Sequence, residues 1–183
     1  MNKELRQTLL IEKKNNIRYL KTTHLIKIAL TKDPDWVRYK FFKYMRLSNY
    51  YAGTLLGLFY LRKKNSYGFK LNYEINGQNI SPGITAYHNG PIVIHKNAII
   101  GKNVKLHGDN CIGNDGITDD CPVIGDNVDI GVGAKIIGKV KIANNVIIGA
   151  GSVVVTDITE SGAVVVGVPG KVIKKKAQHE SKQ

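Results

Sequence analysis

A six-residue period in the second half of the chain is the feature that most restricts what this sequence can fold into. A period of six fits neither an amphipathic helix, which repeats every 3.6 residues, nor one long strand, which repeats every two. It predicts short strands joined by turns and stacked as a parallel β-helix. Ten of the twelve positions carry aliphatic side chains, the full set being His88, Ile94, Ile100, Leu106, Ile112, Thr118, Ile124, Ile130, Ile136, Ile142, Ile148 and Val154.

Glycine and small residues also occur at fixed places in each unit. Glycine directly follows the repeated aliphatic position at residues 101, 113, 125, 131 and 149. A small or aliphatic residue often stands four positions after the repeated aliphatic position. Because glycine adopts backbone angles that other residues avoid, we expect a turn directly after the aliphatic position.

Charge and glycine content divide the chain near residue 70. Residues 1–70 carry 16 Lys and Arg against 4 Asp and Glu, a net charge of +12, whereas residues 71–183 carry 11 against 10, a net of +1. Only 3 of the 19 glycines precede residue 70. The sequence therefore predicts a mainly β protein, with a basic helical arm over residues 1–70, a β-helix over residues 71–176 and a polar tail over residues 177–183.

Helix start signals occur twice within the arm. Asp33 can cap free N–H groups and Pro34 fits the first helical position, which predicts a helix start at this point. Ser48 or Asn49 is predicted to cap the next helix.

Three stretches of the repeat region carry a family resemblance: residues 87–94 (YHNGPIVI), 106–113 (LHGDNCIG) and 166–173 (VGVPGKVI). In these stretches the chain resembles the hexapeptide-repeat acyltransferases, and among them the serine acetyltransferases and their relatives in polysaccharide biosynthesis. The resemblance covers residues 71–176 and implies a left-handed parallel β-helix of triangular section. It also implies a homotrimer, with acetyl-CoA bound in the groove between neighbouring β-helices.

His88 interrupts the aliphatic series, and such breaks in a regular pattern are often functional. It matches the catalytic histidine of the family, so the resemblance implies that its imidazole removes the proton of an acceptor hydroxyl. The hydroxyl oxygen would then attack the thioester of acetyl-CoA directly. Glu74 is the closest match to the family's carboxylate that holds the other ring nitrogen.

Four residues are predicted to bind the acceptor: Tyr87, His107, Asp109 and Cys121. In serine acetyltransferases an aspartate precedes the catalytic histidine and a second histidine precedes a proline, whereas this chain has Tyr87 and Cys121 at those places. Both changes remove polar partners of an amino acid, and a tyrosine ring suits a sugar. We therefore expect an acetyl-CoA-dependent O-acetyltransferase that acts on a saccharide of capsule or exopolysaccharide synthesis.

Two other functions remain open. A serine O-acetyltransferase of cysteine biosynthesis would share the fold and the histidine base but would need other acceptor contacts. A non-catalytic trimeric β-helix would serve as a scaffold or binding module, although the histidine in the aliphatic series argues against it. Binding of coenzyme A separates the scaffold from the two enzymes.

The donor site is assigned by resemblance alone. Small residues let the pantetheine arm of coenzyme A lie close to the backbone, and a lysine can bind its phosphates. By resemblance, the donor-site residues are Gly113, Asn114, Gly131, Gly149, Ala150 and Lys171. Neither a P-loop nor a G-x-G-x-x-G turn between a strand and a helix occurs. The two cysteines lack the paired spacing and histidine partners of a zinc site, so we expect no metal.

Residues 114–121 interrupt the pattern but keep its frame, because Ile112 and Ile124 are twelve positions apart. This segment is predicted to leave the β-helix at a corner as a loop. Loops on a rigid scaffold often carry recognition.

The first residues are polar and charged, unlike a signal peptide, and the longest apolar run, residues 50–61, is too short to span a bilayer. We therefore expect a cytoplasmic protein. No nucleic-acid recognition motif accompanies the basic charge of the arm. By the resemblance, we expect the arm to pack at one end of the β-helix and help assembly. The alternative is peripheral contact with an anionic membrane, which would use the aromatic residues beside that charge: Trp36, Tyr39, Phe41, Phe42, Tyr44, Tyr50 and Tyr51.

Overall fold

The computed structural model describes residues 2–17, 21–31, 33–76 and 78–175. Four helices come first: α1 (Lys3–Asn16), α2 (Thr22–Leu30), α3 (Pro34–Tyr50) and α4 (Leu55–Leu71). Short strands follow, namely β1 (Tyr73–Ile75), β2 (Thr85–Ala86), β3 (Ile92–Ile94), β4 (Ile99–Ile100), β5 (Lys105–Leu106), β6 (Asn110–Gly113), β7 (Val123–Ile124), β8 (Asp129–Ile130), β9 (Lys135–Ile137), β10 (Lys141–Ile142), β11 (Ile147–Ile148), β12 (Val153–Val154), β13 (Ala163–Val166) and β14 (Lys171–Lys175).

The strands form three parallel sheets that are the three sides of a β-helix. Sheet A has the order β1-β3-β6-β9-β12, sheet B the order β4-β7-β10, and sheet C the order β2-β5-β8-β11-β13-β14. Only β14 runs antiparallel to its neighbour among the strands described. The chain visits A, B and C in turn, so each circuit makes one coil, and the predicted parallel β-helix is confirmed.

Each sheet sends a column of aliphatic side chains to the axis. In sheet C the column is in register and at most 3% exposed, and it consists of Ala86, Leu106, Ile130, Ile148 and Val165. Burying one such aliphatic side chain of valine or leucine size contributes about 1.5–3 kcal/mol. The six-residue period therefore marks the inward positions, because each side of the coil takes about six residues and three sides make one coil.

His88 does not lie in this column, so its predicted inward position is wrong. Ala86, the partner of Leu106, faces inward instead, and Ile94, the partner of Ile112, follows it eight positions later, whereas Ile112 follows Leu106 by six. The connection is thus two residues longer than the repeat, which places His88 on an exposed corner. Thr118, the other exception, lies in the exposed segment between β6 and β7.

Four of the five glycines after the inward residues, Gly101, Gly125, Gly131 and Gly149, are needed because neighbouring coils approach closely. A Cβ atom on Gly101 would lie 2.4 Å from the carbonyl oxygen of Gly125. The left-handed backbone angles fall two residues later, at Asn103 with φ 56° and Asn127 with φ 57°. The turn is where the sequence predicts it, but the predicted reason, an unusual backbone angle at the glycine, is wrong.

Replacing Gly101 by alanine is expected to lower the free energy of unfolding by about 1–3 kcal/mol, because the new methyl group overlaps the next coil. The matched control is Gly113→Ala, whose Cβ would meet only the Cβ of His95 at 3.7 Å. That control should leave stability unchanged or raise it by about 0.4–1 kcal/mol. Urea unfolding at one protein concentration measures both, and equal stabilities would contradict the close-approach explanation.

Helix α3 covers the end of the β-helix and positions the first corner. Phe41, Phe42 and Met45 are buried in the same core cluster as the strands, and the ring of Phe41 meets that of Tyr73 at 5.3 Å. Because Tyr39 is also buried, the prediction that these α3 aromatics face a membrane is wrong for Tyr39, Phe41 and Phe42.

A buried ion pair fastens α1 and α3 to the first coil. The guanidinium of Arg46 donates to Glu12 Oε1 at 3.0 Å from Nε and 2.6 Å from the second terminal nitrogen. It also donates to the carbonyl oxygens of Ile80 and, at 2.8 Å, Ser81. The arm is therefore joined to the β-helix through polar as well as apolar contacts.

Candidate active site

A cavity of about 650 Å³ lies where the start of α3 meets the corner between β2 and β3. Its walls come from the helical arm on one side and the first coil on the other. The lining residues are His24, Asp33, Pro34, Asp35, Arg38, Tyr87, His88 and Asn89.

His88 is held through its backbone, while its side chain reaches the cavity. The hydroxyl of Tyr73 donates a hydrogen bond of 2.8 Å to the carbonyl oxygen of His88. Burial raises the pKa of Tyr73, so this hydroxyl stays protonated and keeps donating. Gly108 lies beside this corner, and a Cβ atom on it would make only an ordinary contact of 3.5 Å with the Cβ of His88. The imidazole is exposed and accessible to an acceptor.

Glu74 is not in this cavity. It is the exposed residue of β1, between buried Tyr73 and Ile75. It lines a separate cavity of about 460 Å³, together with Lys64 and Phe69. A single chain therefore does not bring Glu74 and His88 into one cavity, and their predicted pairing stays a prediction.

The first turn of α3 supplies charged groups that the sequence analysis missed. Asp33 caps α3 by accepting from the N–H of Asp35 at 2.9 Å, as predicted. Arg38, only 7% exposed, forms an ion pair with Asp35 and donates to Asn89 Oδ1 at 2.7 Å. Carboxylates and a guanidinium thus line the cavity that contains His88.

A ring pair lies next to the cavity. Tyr87 lines it, and the Tyr87 ring lies 4.8 Å from the ring of His107 with an angle of 31°. His107 Nε2 lies 2.8 Å from Asp129 Oδ1. A carboxylate only accepts, so Nε2 of His107 carries a proton in this contact. Asp109, also predicted to bind the acceptor, points elsewhere and contacts Lys135 Nζ at 3.2 Å.

Cys121 lies at another corner of the β-helix, beside His95. Its Sγ is 3.0 Å from His95 Nδ1, which also accepts from the N–H of Asn97 at 3.2 Å. Because a backbone donor points at Nδ1, the thiol is the donor in the contact with that nitrogen. Burial raises the pKa of Cys121, and Asp119 and Asp120 raise it further. The thiol is thus a protonated donor, in contrast to an activated nucleophile.

The segment between β6 and β7 leaves the coil as predicted. Asp115 Oδ1 accepts from the N–H groups of Ile117 and Thr118 at 2.9 and 2.8 Å, and these bonds lower the pKa of Asp115. Asn114 donates to the carbonyl oxygen of Thr118 at 2.7 Å. Ile117 is 89% exposed, so the loop is closed by its own polar contacts.

The predicted donor residues fall on two different edges. Edge CA is the series of corners from sheet C to sheet A: residues 87–91, 107–109, 131–134 and 149–152. It carries His88, His107, Gly131, Gly149 and Ala150. A Cβ on Gly131 would lie 2.6 Å from the nitrogen of Ala150, so these small residues stack directly.

Edge AB, the series of corners from sheet A to sheet B, includes residues 95–98 and 114–122. It carries Asn114 and Cys121, and Gly113 ends the strand that leads into it. Lys171 begins β14 and is exposed at the far end of the β-helix. In one chain these residues are therefore apart from edge CA.

The fold and this edge define a left-handed β-helix protein with a helical arm. A serine acetyltransferase of Neisseria gonorrhoeae solved with serine is 25% identical, with a TM-score of 0.66 over 93% of this chain and 69% of that chain. Soybean serine acetyltransferase with serine is 26% identical, with a TM-score of 0.67 over 94% and 70%. Serine acetyltransferase of Brucella abortus with coenzyme A is 21% identical, with a TM-score of 0.69 over 96% and 70%.

Comparisons with family models and with curated proteins gave no match. The likeness to solved structures confirms the predicted fold class, including its handedness. It extends over the helical arm as well as the β-helix.

Proposed function

We propose that this chain is an O-acetyltransferase that transfers the acetyl group of acetyl-CoA to an acceptor hydroxyl. One observation carries the proposal: His88 opens into a charged cavity at the arm end of edge CA, and the small residues Gly131, Gly149 and Ala150 continue along that edge. Coils of a β-helix are spaced about 4.8 Å apart, so this edge offers an extended shallow path for a long pantetheine arm. The coenzyme A bound in the Brucella abortus structure supports this donor.

The chemistry requires one base. A neutral imidazole of His88 takes the proton of the acceptor hydroxyl while the hydroxyl oxygen attacks the thioester carbonyl. The carbon–sulfur bond then breaks, and the leaving thiolate of coenzyme A takes the proton from the imidazolium. The products are the O-acetyl ester and free coenzyme A, and the imidazole of His88 returns to its neutral form.

The acceptor that fits the cavity best is serine. The carboxylates of Asp33 and Asp35 suit an ammonium group, and the guanidinium of Arg38 suits a carboxylate. This charged set supplies the amino-acid partners whose absence at Tyr87 and Cys121 argued against serine. The serine bound in the Neisseria gonorrhoeae and soybean structures supports the same acceptor.

A saccharide acceptor is the second candidate. The cavity volume of about 650 Å³ is larger than a single serine needs. Tyr87 is 42% exposed and forms a ring pair with His107, which gives a flat surface where a sugar ring can stack. A capsule or exopolysaccharide sugar would use this wall of the cavity.

We also propose that the active unit is a homotrimer. Gly113, Asn114 and Cys121 lie on or beside edge AB, away from His88 in the same chain. A neighbouring copy whose edge AB faces edge CA would bring both sets of residues to one groove. Light scattering coupled to gel filtration measures the mass, and a monomer at working concentration would contradict the trimer.

The direct test is release of coenzyme A from acetyl-CoA, with L-serine and a panel of nucleotide sugars and oligosaccharides offered separately. We expect L-serine to raise the rate most, because the cavity is lined by groups of both charges, although Arg38 and Asp35 also pair with each other. A sugar that outperforms serine would make the saccharide reading the correct one. If no acceptor works and calorimetry detects no binding of coenzyme A, the chain is a non-catalytic β-helix.

A further inference from the structure

Helix α4 carries large apolar side chains together with basic ones on the side that faces away from the protein. Its buried positions are Gly57, Lys64, Gly68 and Leu71. At 3.6 residues per turn, the opposite side of the helix carries the set that we call the α4 outer face. This face consists of Leu55, Leu58, Phe59, Arg62, Ser66, Phe69 and Lys70.

The apolar members of the α4 outer face are strongly exposed. Leu55 is 86% exposed, Leu58 63%, Phe59 52% and Phe69 85%. Leu58 and Phe69 also border a shallow groove of about 640 Å³. Soluble proteins scatter single apolar residues on their surface, but four strongly exposed large apolar side chains on one face of a helix indicate a site of interaction.

The charged residues in the sequence around the α4 outer face are basic. Residues 36–73 contain 8 Lys and Arg and no Asp or Glu. On α4 the exposed cations are Arg62, Lys63 and Lys70, and Lys63 Nζ lies 5.5 Å from the centre of the Phe59 ring. Glu74, which shares a cavity with Phe69, is the carboxylate at the border.

We propose that the α4 outer face docks on an anionic membrane surface. Its leucine and phenylalanine side chains enter the boundary between headgroups and acyl chains, and its cations contact the lipid phosphates. Because one face of α4 makes these contacts along its length, α4 would lie in the plane of the surface. No described helix is long and apolar enough to cross a membrane. The proposal goes beyond acetyl transfer and does not depend on it. It also replaces the contact predicted for the α3 aromatics.

The test is sedimentation of the full chain with vesicles, without coenzyme A or acceptor. We expect binding to vesicles of equal phosphatidylcholine and phosphatidylglycerol and none to phosphatidylcholine alone. Raising the salt concentration should weaken binding, because the charges are exposed. The triple variant Arg62→Glu, Lys63→Glu and Lys70→Glu should lower partitioning about 100-fold or more.

A matched control separates this face from net charge. The triple variant Lys96→Glu, Lys102→Glu and Lys141→Glu changes three exposed cations of the β-helix, so its net charge is the same. It should bind far better than the α4 charge variant, and equal losses would overturn the proposal.

The apolar part of the proposal needs its own variant, Leu55→Ser, Leu58→Ser and Phe69→Ser. It should lower partitioning about tenfold or more while the net charge stays the same. Circular dichroism and thermal midpoints check that each variant is folded. The proposal fails if the wild type binds neither vesicle. It also fails if the apolar variant changes the oligomer mass without lipid while vesicle binding persists, because the face would then be covered by a second copy.

Discussion

Replacing His88 by alanine is expected to lower kcat for acetyl transfer about 10²–10⁴-fold, the contribution of a general base. The side chain is exposed in the cavity and is not part of the core, so the fold should be unaffected. Affinity for coenzyme A should also stay the same, because the small residues of edge CA that we propose to hold the donor, Gly131, Gly149 and Ala150, lie in later coils. Steady-state release of coenzyme A measures the rate, and calorimetry measures the affinity.

The matched control for this prediction is His88→Gln, which keeps a polar side chain of similar reach that cannot take up a proton at neutral pH. Both variants should lose activity alike if His88 acts as a base, whereas glutamine should retain much of it if His88 only binds the acceptor. If both variants keep kcat within about tenfold of wild type, the base lies elsewhere. His107, held by Asp129 at 2.8 Å, would then be the next histidine to replace.

The six-residue period predicts most of the β-helix because the coil has three short sides of nearly constant length. Ile124 and Ile142 are eighteen positions apart, which is three six-residue sides, and they are in register in sheet B, as the spacing implies. The prediction fails where the connection changes length. The corner after Ala86 has two extra residues, so His88 moves from the axis to the surface. A period alone cannot reveal which residue of an irregular corner faces inward.

Helix boundaries in the arm are predicted correctly where they depend on neighbouring residues and wrongly where they depend on packing. Asp33 and Pro34 begin α3 as predicted, because capping depends on neighbouring residues only. The predicted cap at Ser48 or Asn49 is wrong, since α3 continues to Tyr50 and Thr54 caps α4 by accepting from Gly57 N–H at 3.1 Å. A polar residue near a helix end can thus lie within the helix when packing extends it.

The candidate site could be predicted only where it lies within one stretch of sequence. Tyr87 and His88 line the cavity because they follow one another at one corner. Asp35 and Arg38 line it from α3, and they were missed because no local pattern shows that α3 returns to this corner. The contact of Arg38 with Asn89 spans 51 positions and arises from packing of α3 on the β-helix.

Replacing Arg46 by methionine is expected to lower the free energy of unfolding by about 3–5 kcal/mol, because it leaves a buried carboxylate without its partner. Glu12 is fully buried, and its Oε2 already lacks a hydrogen-bond partner among the described residues. The carbonyl oxygen of Ser81 also loses its donor. The matched control is Arg6→Met on the exposed side of α1, which should change stability by less than about 0.5 kcal/mol. Urea unfolding at a fixed protein concentration compares the two variants.

The pH dependence of Arg46→Met identifies the buried charge as the cause. Burial raises the pKa of Glu12, and the guanidinium of Arg46 partly opposes that rise. Without Arg46 the pKa rises further, so the folded state binds a proton that the unfolded state has released. Stability of the variant should therefore be greatest below the ordinary glutamate pKa and should fall as the pH increases through the raised value. Adding Glu12→Gln should remove this slope, and a slope that persists would show that another group causes it.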